Sequence, residues 1–281
     1  MAHHVEKNDP EAMERGSSNS NGNRLDVIHS EDHFREILTK TMTTSPELFE
    51  KLYLNPKREV PGDLRKRFAN PTPLGIMGFS VAVFPLSIEL MGWRGAGGFA
   101  SATNACSIWF GGLLLFFAGL GEFLLGNDFS FLVFMGYGAH ILTFATTFVP
   151  SFNAVAFYSD GDPDKATAGF AASFGYYPIA LGILSLIFLL GALRTNLIFV
   201  LIFVSATTGF GFAAAALFYT AEGKADIAAT CLVATGAGFF AADILGWYLF
   251  LGMIIDTMEL PLPSPPVFDL TNVIKPKKKL E

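Results

Sequence analysis

An all-α membrane protein, with six transmembrane helices per protomer between polar cytoplasmic tails, is the fold class this sequence predicts. Three observations carry that expectation. Hydrophobic residues make up 51% of the 281-residue chain and charged residues only 16%, against about a quarter charged in soluble domains. The charge is also segregated: of 44 Asp, Glu, Lys and Arg, 23 precede Phe68 and 7 follow Asp256, which leaves 14 for the 189 residues between. Within that charge-poor middle lie six apolar runs, each near the ~20 residues that cross a bilayer at about 1.5 Å per residue. The expected division is a polar N-terminal tail (1–67), a six-helix membrane domain (68–256) and a C-terminal tail (257–281).

The elements follow in order. Residues 1–67 are polar and lack a sustained apolar period, which predicts a largely disordered segment with at most a short helix over Ser30–Met42. The spans are Thr72–Gly92, Asn104–Leu125, Phe129–Pro150, Tyr177–Leu193, Leu197–Tyr219 and Ile227–Ile255. The fourth is short, and Ala166–Gly175 can continue it. The sixth is long enough to tilt or to project beyond the membrane. Lys57, Arg58, Arg65, Lys66 and Arg67 precede the first span, and Lys275, Lys277, Lys278 and Lys279 follow the last. By the positive-inside rule both ends face the cytoplasm, as six crossings allow. The connectors Ser151–Tyr176 and Thr220–Asp226 are not basic and fit the outside, with Arg94 as an exception. Paired glycines such as Gly75/Gly78, Gly111/Gly112 and Gly236/Gly238 predict close helix contact.

Other classes are excluded early. A net charge of −6 and a pI near 5.4 give no basic footprint for nucleic acid. Cys106 and Cys231 lie in apolar stretches and make no disulfide framework. No HExxH, CxxC, P-loop or GxSxG pattern occurs, so no metal, cofactor or catalytic residue is expected.

Ionisable groups at membrane depth are functional candidates because hydrocarbon disfavours them. Four qualify: Glu89, Glu122, His140 and Asp243. Glu89 and Glu122 lie near span ends, within reach of the interface. His140 and Asp243 each lie about 17 Å from the inner end of their spans, so a neutralising contact between them is expected, with His140 as a proton relay. The start of the first span is also distinctive. Asn70 can cap, and Pro71 and Pro73 sit in the first turn, where proline is tolerated. Such a helix start directs free N–H groups at an anion.

Asn70-Pro71-Thr72-Pro73-Leu74-Gly75 with Gly78-Phe79 resembles the signature of the acetate uptake transporter family, also called the GPR1/FUN34/YaaH or succinate–acetate permease family. Supporting matches are Gly126-Asn127-Asp128-Phe129, Tyr137-Gly138-Ala139, Leu193-Arg194-Thr195-Asn196 and Trp247-Tyr248. The resemblance covers roughly Phe68–Ile255, and the polar N-terminal extension looks like the fungal members. It implies a six-helix protomer with its own central pathway, a homo-hexamer in the plasma membrane, and passage of acetate and similar small carboxylates, in some members succinate. The family's constriction of an aromatic, a tyrosine and a leucine falls on Phe79, Tyr137 and Ala206. Three departures stand out: His140-Ile141 replaces the usual Phe-Trp, Leu86-Ser87-Ile88-Glu89 replaces an asparagine-containing stretch, and Asp243 replaces a small neutral residue.

Phe79 and Tyr137 are therefore expected to face the pathway, with the tyrosine hydroxyl holding a carboxylate oxygen. Ala206 is expected to leave the narrowest point wider or wetter. The ionisable groups at membrane depth are three acids and one histidine, with no deep Lys or Arg, and the carboxylates, if ionised along the path, would repel an anion, which favours proton-linked over simple anion passage. The alternatives are ammonium or ammonia transport, and a non-transporting membrane sensor or scaffold with residues 1–67 as its signalling part.

Overall fold

The computed structural model describes residues 68–98, 100–159, 162–271 and 273. The segment expected to form a helix over Ser30–Met42 and both terminal clusters of basic residues lie outside the described residues. The described chain is helical: α1 (Thr72–Met91), α2 (Asn104–Leu124), α3 (Asp128–Thr147), α4 (Pro163–Phe174), α5 (Tyr176–Ala192), α6 (Leu197–Ala221) and α7 (Ala225–Thr257). Because α4 runs on into α5 through Gly175, the fourth span is Thr167–Ala192, and six helices are long and apolar enough to cross a membrane. The backward continuation read from Ala166–Gly175 is therefore present.

α1 begins where Asn70 Oδ1 accepts the Thr72 N–H at 3.0 Å, so Asn70 serves the helix start although Pro71 occupies the capping position. The interior proline, Pro85, has no N–H for the Val81 carbonyl. Cys106 of α2 supplies the missing donor, with Sγ 3.4 Å from that oxygen. α1 ends at Gly92, whose φ of 70° is the left-handed turn that stops a helix at little steric cost.

Backbone approach fixes α1 on both sides. The Phe110 carbonyl, within a π-helical stretch of α2 (Ser107–Leu114), lies so near Gly78 that a Cβ there would stand 2.5 Å away. On the other side the Ser87 carbonyl would stand 2.7 Å from a Cβ on Gly236 of α7. No hydrophobic force separates helix from lipid, so such close packing supplies the attraction. α3 packs on α2, α2 on α1, α1 on α7, α7 on α6 and α6 on α5. Tyr137 and Ser185 join α3 back to α5, which closes a ring of six spans.

The end of the ring where α1 starts and α7 finishes is here the terminal end; the other is the loop end. Near the terminal end an aromatic block fills the centre. Phe203 stacks on Tyr137 with centroids 6.2 Å apart, and Phe188 and Phe129 meet it at 5.9 and 6.2 Å. Large apolar side chains also cover the outside, including Trp109, Phe117 and Phe123 on α2 and Ile183, Ile187 and Leu190 on α5, as lipid or neighbouring copies require.

The C-terminal segment is not a free tail throughout. Residues 259–270 fold back over the terminal end: Leu197 N–H donates to Phe268 O at 3.1 Å and Leu270 N–H to Thr195 O at 2.9 Å. Tyr248 Oη donates to Pro266 O at 2.8 Å, and Val267 is buried in the core. The physical reason is visible in the chain: Pro261, Pro263, Pro265 and Pro266 hold it out of a helix, so its backbone groups pair across the bundle.

Candidate functional site

At the terminal end, the helix start, the α2–α3 turn and Glu122 form one polar cluster. Glu122 is 0% exposed. One oxygen accepts from Thr72 Oγ1 and the other from Asn127 Nδ2 at 2.5 Å. Pro71 packs on Gly121, where a Cβ would lie 2.6 Å from its ring, and Gly75 packs on Phe134. The anion expected at this helix start is thus matched from within the chain: the first turn of α1 meets the carboxyl of Glu122. Asn70, Pro71, Pro73 and Gly75 shape that join and do not line the central cavities.

Two cavities lie along the centre of the ring. The smaller, of about 50 Å³, is bounded by Phe79, Tyr137, His140, Ala206, Phe210 and Phe239 among others. The three positions matched to the family's constriction therefore share one cavity wall. Tyr137 and Ala206 each stand nine residues into their helices, roughly 14 Å from the terminal end at 1.5 Å per residue. Two details differ from expectation. Ser185 Oγ donates to Leu181 O at 2.8 Å, so the 2.7 Å contact between Tyr137 and Ser185 uses the tyrosine proton. The hydroxyl is then committed to α5 and has no proton to give a carboxylate. Nor is the space at Ala206 open, because Ile202 and Phe210, one turn to either side, and Phe239 of α7 close around it.

The larger cavity measures about 310 Å³ and opens toward the loop end, where Thr220, Gly223 and Ala225 line it. Leu86, His140, Phe210 and Phe239 border both cavities, so they form the floor of one and the roof of the other. His140 Nδ1 lies 3.0 Å from Tyr177 Oη, and its ring packs edge-on against Phe210 at 5.2 Å. Among the described residues no Asp, Glu, Lys or Arg lines either cavity.

His140 and Asp243 do not form the expected pair. The partner of His140 is Tyr177. Asp243 is 0% exposed and faces Ser80 and Trp247, yet neither reaches hydrogen-bond geometry, and Asp243 Oδ1, Oδ2 and Ser80 Oγ all lack partners. The reason is rotational. Asp243 lies on the face of α7 that meets α1, where a Cβ on Gly246 would stand 2.6 Å from Ser80 Oγ, whereas His140 points toward α5 and α6. Glu89 also has a local role: it accepts from Thr103 Oγ1 at 3.0 Å and ties the α1–α2 connector to α1. Of the four ionisable candidates, His140 alone borders either of these two cavities.

A buried carboxyl whose neighbouring donors, Ser80 and Trp247, stand outside hydrogen-bond geometry weakens the fold. Asp243→Asn should therefore raise the thermal midpoint of the purified protein, by a stabilisation of about 1 kcal/mol or more. An unchanged or lowered midpoint would show that the carboxyl has partners in the membrane.

The sequence assigns no role to Tyr177 or Ser185, and Thr72 enters it only as part of the Asn70–Gly75 signature. Each acts through a partner on another helix, 37, 48 and 50 residues away, and no local spacing signals such pairs.

Comparisons with known proteins agree with this architecture. A family profile described as the GPR1/FUN34/yaaH family matches residues 53–271. The chain is 40% identical over 229 residues to protein alcS of Aspergillus fumigatus, covering 80% of this chain and 84% of that one. It is 32% identical over 187 residues to the acetate transporter protein patA of Aspergillus clavatus, covering 64% and 70%. Among solved structures, the bacterial acetate channel SatP superposes with a TM-score of 0.54 at 26% identity, covering 70% of this chain and 99% of that one.

Proposed function

The chain belongs to the GPR1/FUN34/yaaH family, and on that premise we propose that it passes acetate and similar small carboxylates through the centre of its own six-helix ring. The observation that carries this reading is the pair of stacked central cavities, with Phe79, Tyr137 and Ala206 around the narrower one. The acetate transporter and acetate channel among its relatives support the same substrate. Passage is proton-linked or channel-like: among the described residues no fixed cation lines the path to hold an anion, and no carboxylate lines it to repel one. The lack of a lining carboxylate among the described residues also leaves the ammonium ion without a counter-charge, which disfavours the charged form of that alternative. The protein acts by transport and not by catalysis. The protomer assembles as a hexamer in the plasma membrane with both termini in the cytoplasm. The flanking basic residues support the orientation, and the exposed aromatic face of α2 offers surface for neighbouring copies.

Uptake of isotope-labelled acetate into proteoliposomes, with protein-free liposomes as the control, tests the proposal. Uptake above the control is expected, faster with an inward proton gradient than with the gradient collapsed. Equal rates with and without the gradient point to a channel, and no uptake above the control would leave a sensor or scaffold as the better reading.

A further inference from the structure

The loop-end cavity is larger than acetate requires and of a different chemistry. At about 310 Å³ it holds roughly ten water-sized groups at ~30 Å³ each, whereas acetate has four non-hydrogen atoms. Its volume falls at the lower edge of the ~300–1,000 Å³ typical of small-molecule sites. Leu90, Phe144, Phe174, Leu181, Leu217 and Leu232 are among the side chains that make its wall apolar. Polar groups are few, and the ring of His140 stands at the floor of the cavity, where it meets the constriction. Tyr177 Oη lies 3.0 Å from His140 Nδ1 and 3.4 Å from the His140 carbonyl. Tyr177 Oη has a single proton, so Nδ1 either accepts it or donates its own to that oxygen, and Nε2 correspondingly presents a proton or a lone pair to a carboxyl. Nε2 has no hydrogen-bond partner among the described residues.

From this geometry we infer that the loop-end cavity is a binding site for monocarboxylic acids with a hydrocarbon tail, of a size near butyrate to hexanoate, bound with the carboxyl at His140 and the tail along the apolar wall. The inference rests on the carboxylate-transport reading and narrows its substrate class. A dicarboxylate such as succinate would place its second charge against leucine and phenylalanine, without a cation. Lys224, in the α6–α7 turn beside the lining residues Gly223 and Ala225, is already held by Glu222 at 2.6 Å, and that carboxylate keeps its ammonium above the ordinary lysine range.

The test is titration calorimetry on the full chain in lipid nanodiscs, with acetate, butyrate, hexanoate and succinate, alongside labelled-acetate uptake on the same preparation. Affinity should rise up to about fourfold per added methylene, the worth of burying a CH₂ group, with succinate weakest. Ala213→Phe, which fills tail space, should flatten that rise. His140→Leu should weaken all the monocarboxylates by a similar factor and leave the rise intact. A flat series in the wild-type protein, or succinate binding as tightly as butyrate, overturns the inference. So does a phospholipid that co-purifies in the cavity and must be stripped before any acid binds. Acetate uptake with a flat series sinks this inference alone, whereas absence of uptake sinks the transport reading beneath it.

Discussion

Glu122→Ala should destabilise the purified protein by about 3–5 kcal/mol, the largest single-residue effect on stability expected here. Glu122 is completely buried, and its two oxygens are the acceptors for Thr72 Oγ1 and Asn127 Nδ2. Alanine would strand both donors in a site that water does not reach, at about 1–3 kcal/mol for each. It would also remove the carboxyl from the positive end of α1, which is worth a further ~0.3–2 kcal/mol. Three helices lose their join at once, because Thr72 opens α1, Glu122 sits near the end of α2, and Asn127 caps α3. Glu122→Gln keeps the shape and one acceptor while turning an amide donor toward another donor, so it should cost about 1–2 kcal/mol. Thermal or denaturant unfolding in detergent measures both. A loss below about 1 kcal/mol for Glu122→Ala would mean that water or a rearranged partner replaces the carboxyl.

What the sequence could reveal divides along physical lines. The six spans were legible because a bilayer fixes both the length and the apolarity of anything that crosses it. Even the short fourth run pointed to its own continuation through Gly175. The resemblance of Asn70–Gly75 drew attention to the right helix start, but its partner Glu122 lies 50 residues on in another helix. Equal depth paired His140 with Asp243, and depth is only one of the coordinates that place a side chain. Rotation about the helix axis sets the others, and it sends Asp243 toward Ser80 and His140 toward Tyr177. The folded-back segment 259–270 was missed because a proline-rich stretch carries no helical or strand period. Its ties are backbone bonds to Thr195 and Leu197, the Tyr248 hydroxyl on Pro266 and the burial of Val267, none of which a local spacing announces.

Ala206→Leu should cut acetate flux by at least about tenfold, the equivalent of ~1.4 kcal/mol on the barrier. The resemblance matches this position to a leucine, so introducing one would look harmless if side chains acted alone. Here the bulk arrives from elsewhere. Ile202, Phe210 and Phe239 already crowd the cavity at Ala206, Phe79 and Tyr137 bound the rest, and only about 50 Å³ remains. Leucine adds three carbons to alanine and puts them into this narrow cavity, between the rings of Phe79, Tyr137 and Phe239. The choice left is between an obstructed passage and a displaced neighbour. Overpacking of this kind costs ~1–3 kcal/mol of stability, small enough for the protein to insert and be purified. Phe239→Ala in the same chain should restore part of the flux, because it empties the wall opposite the new leucine. Flux of labelled acetate at matched protein levels, with the thermal midpoint recorded for each variant, decides the matter. Wild-type flux in a stable Ala206→Leu protein would place the route for acetate outside the cavity shared by Phe79, Tyr137 and Ala206.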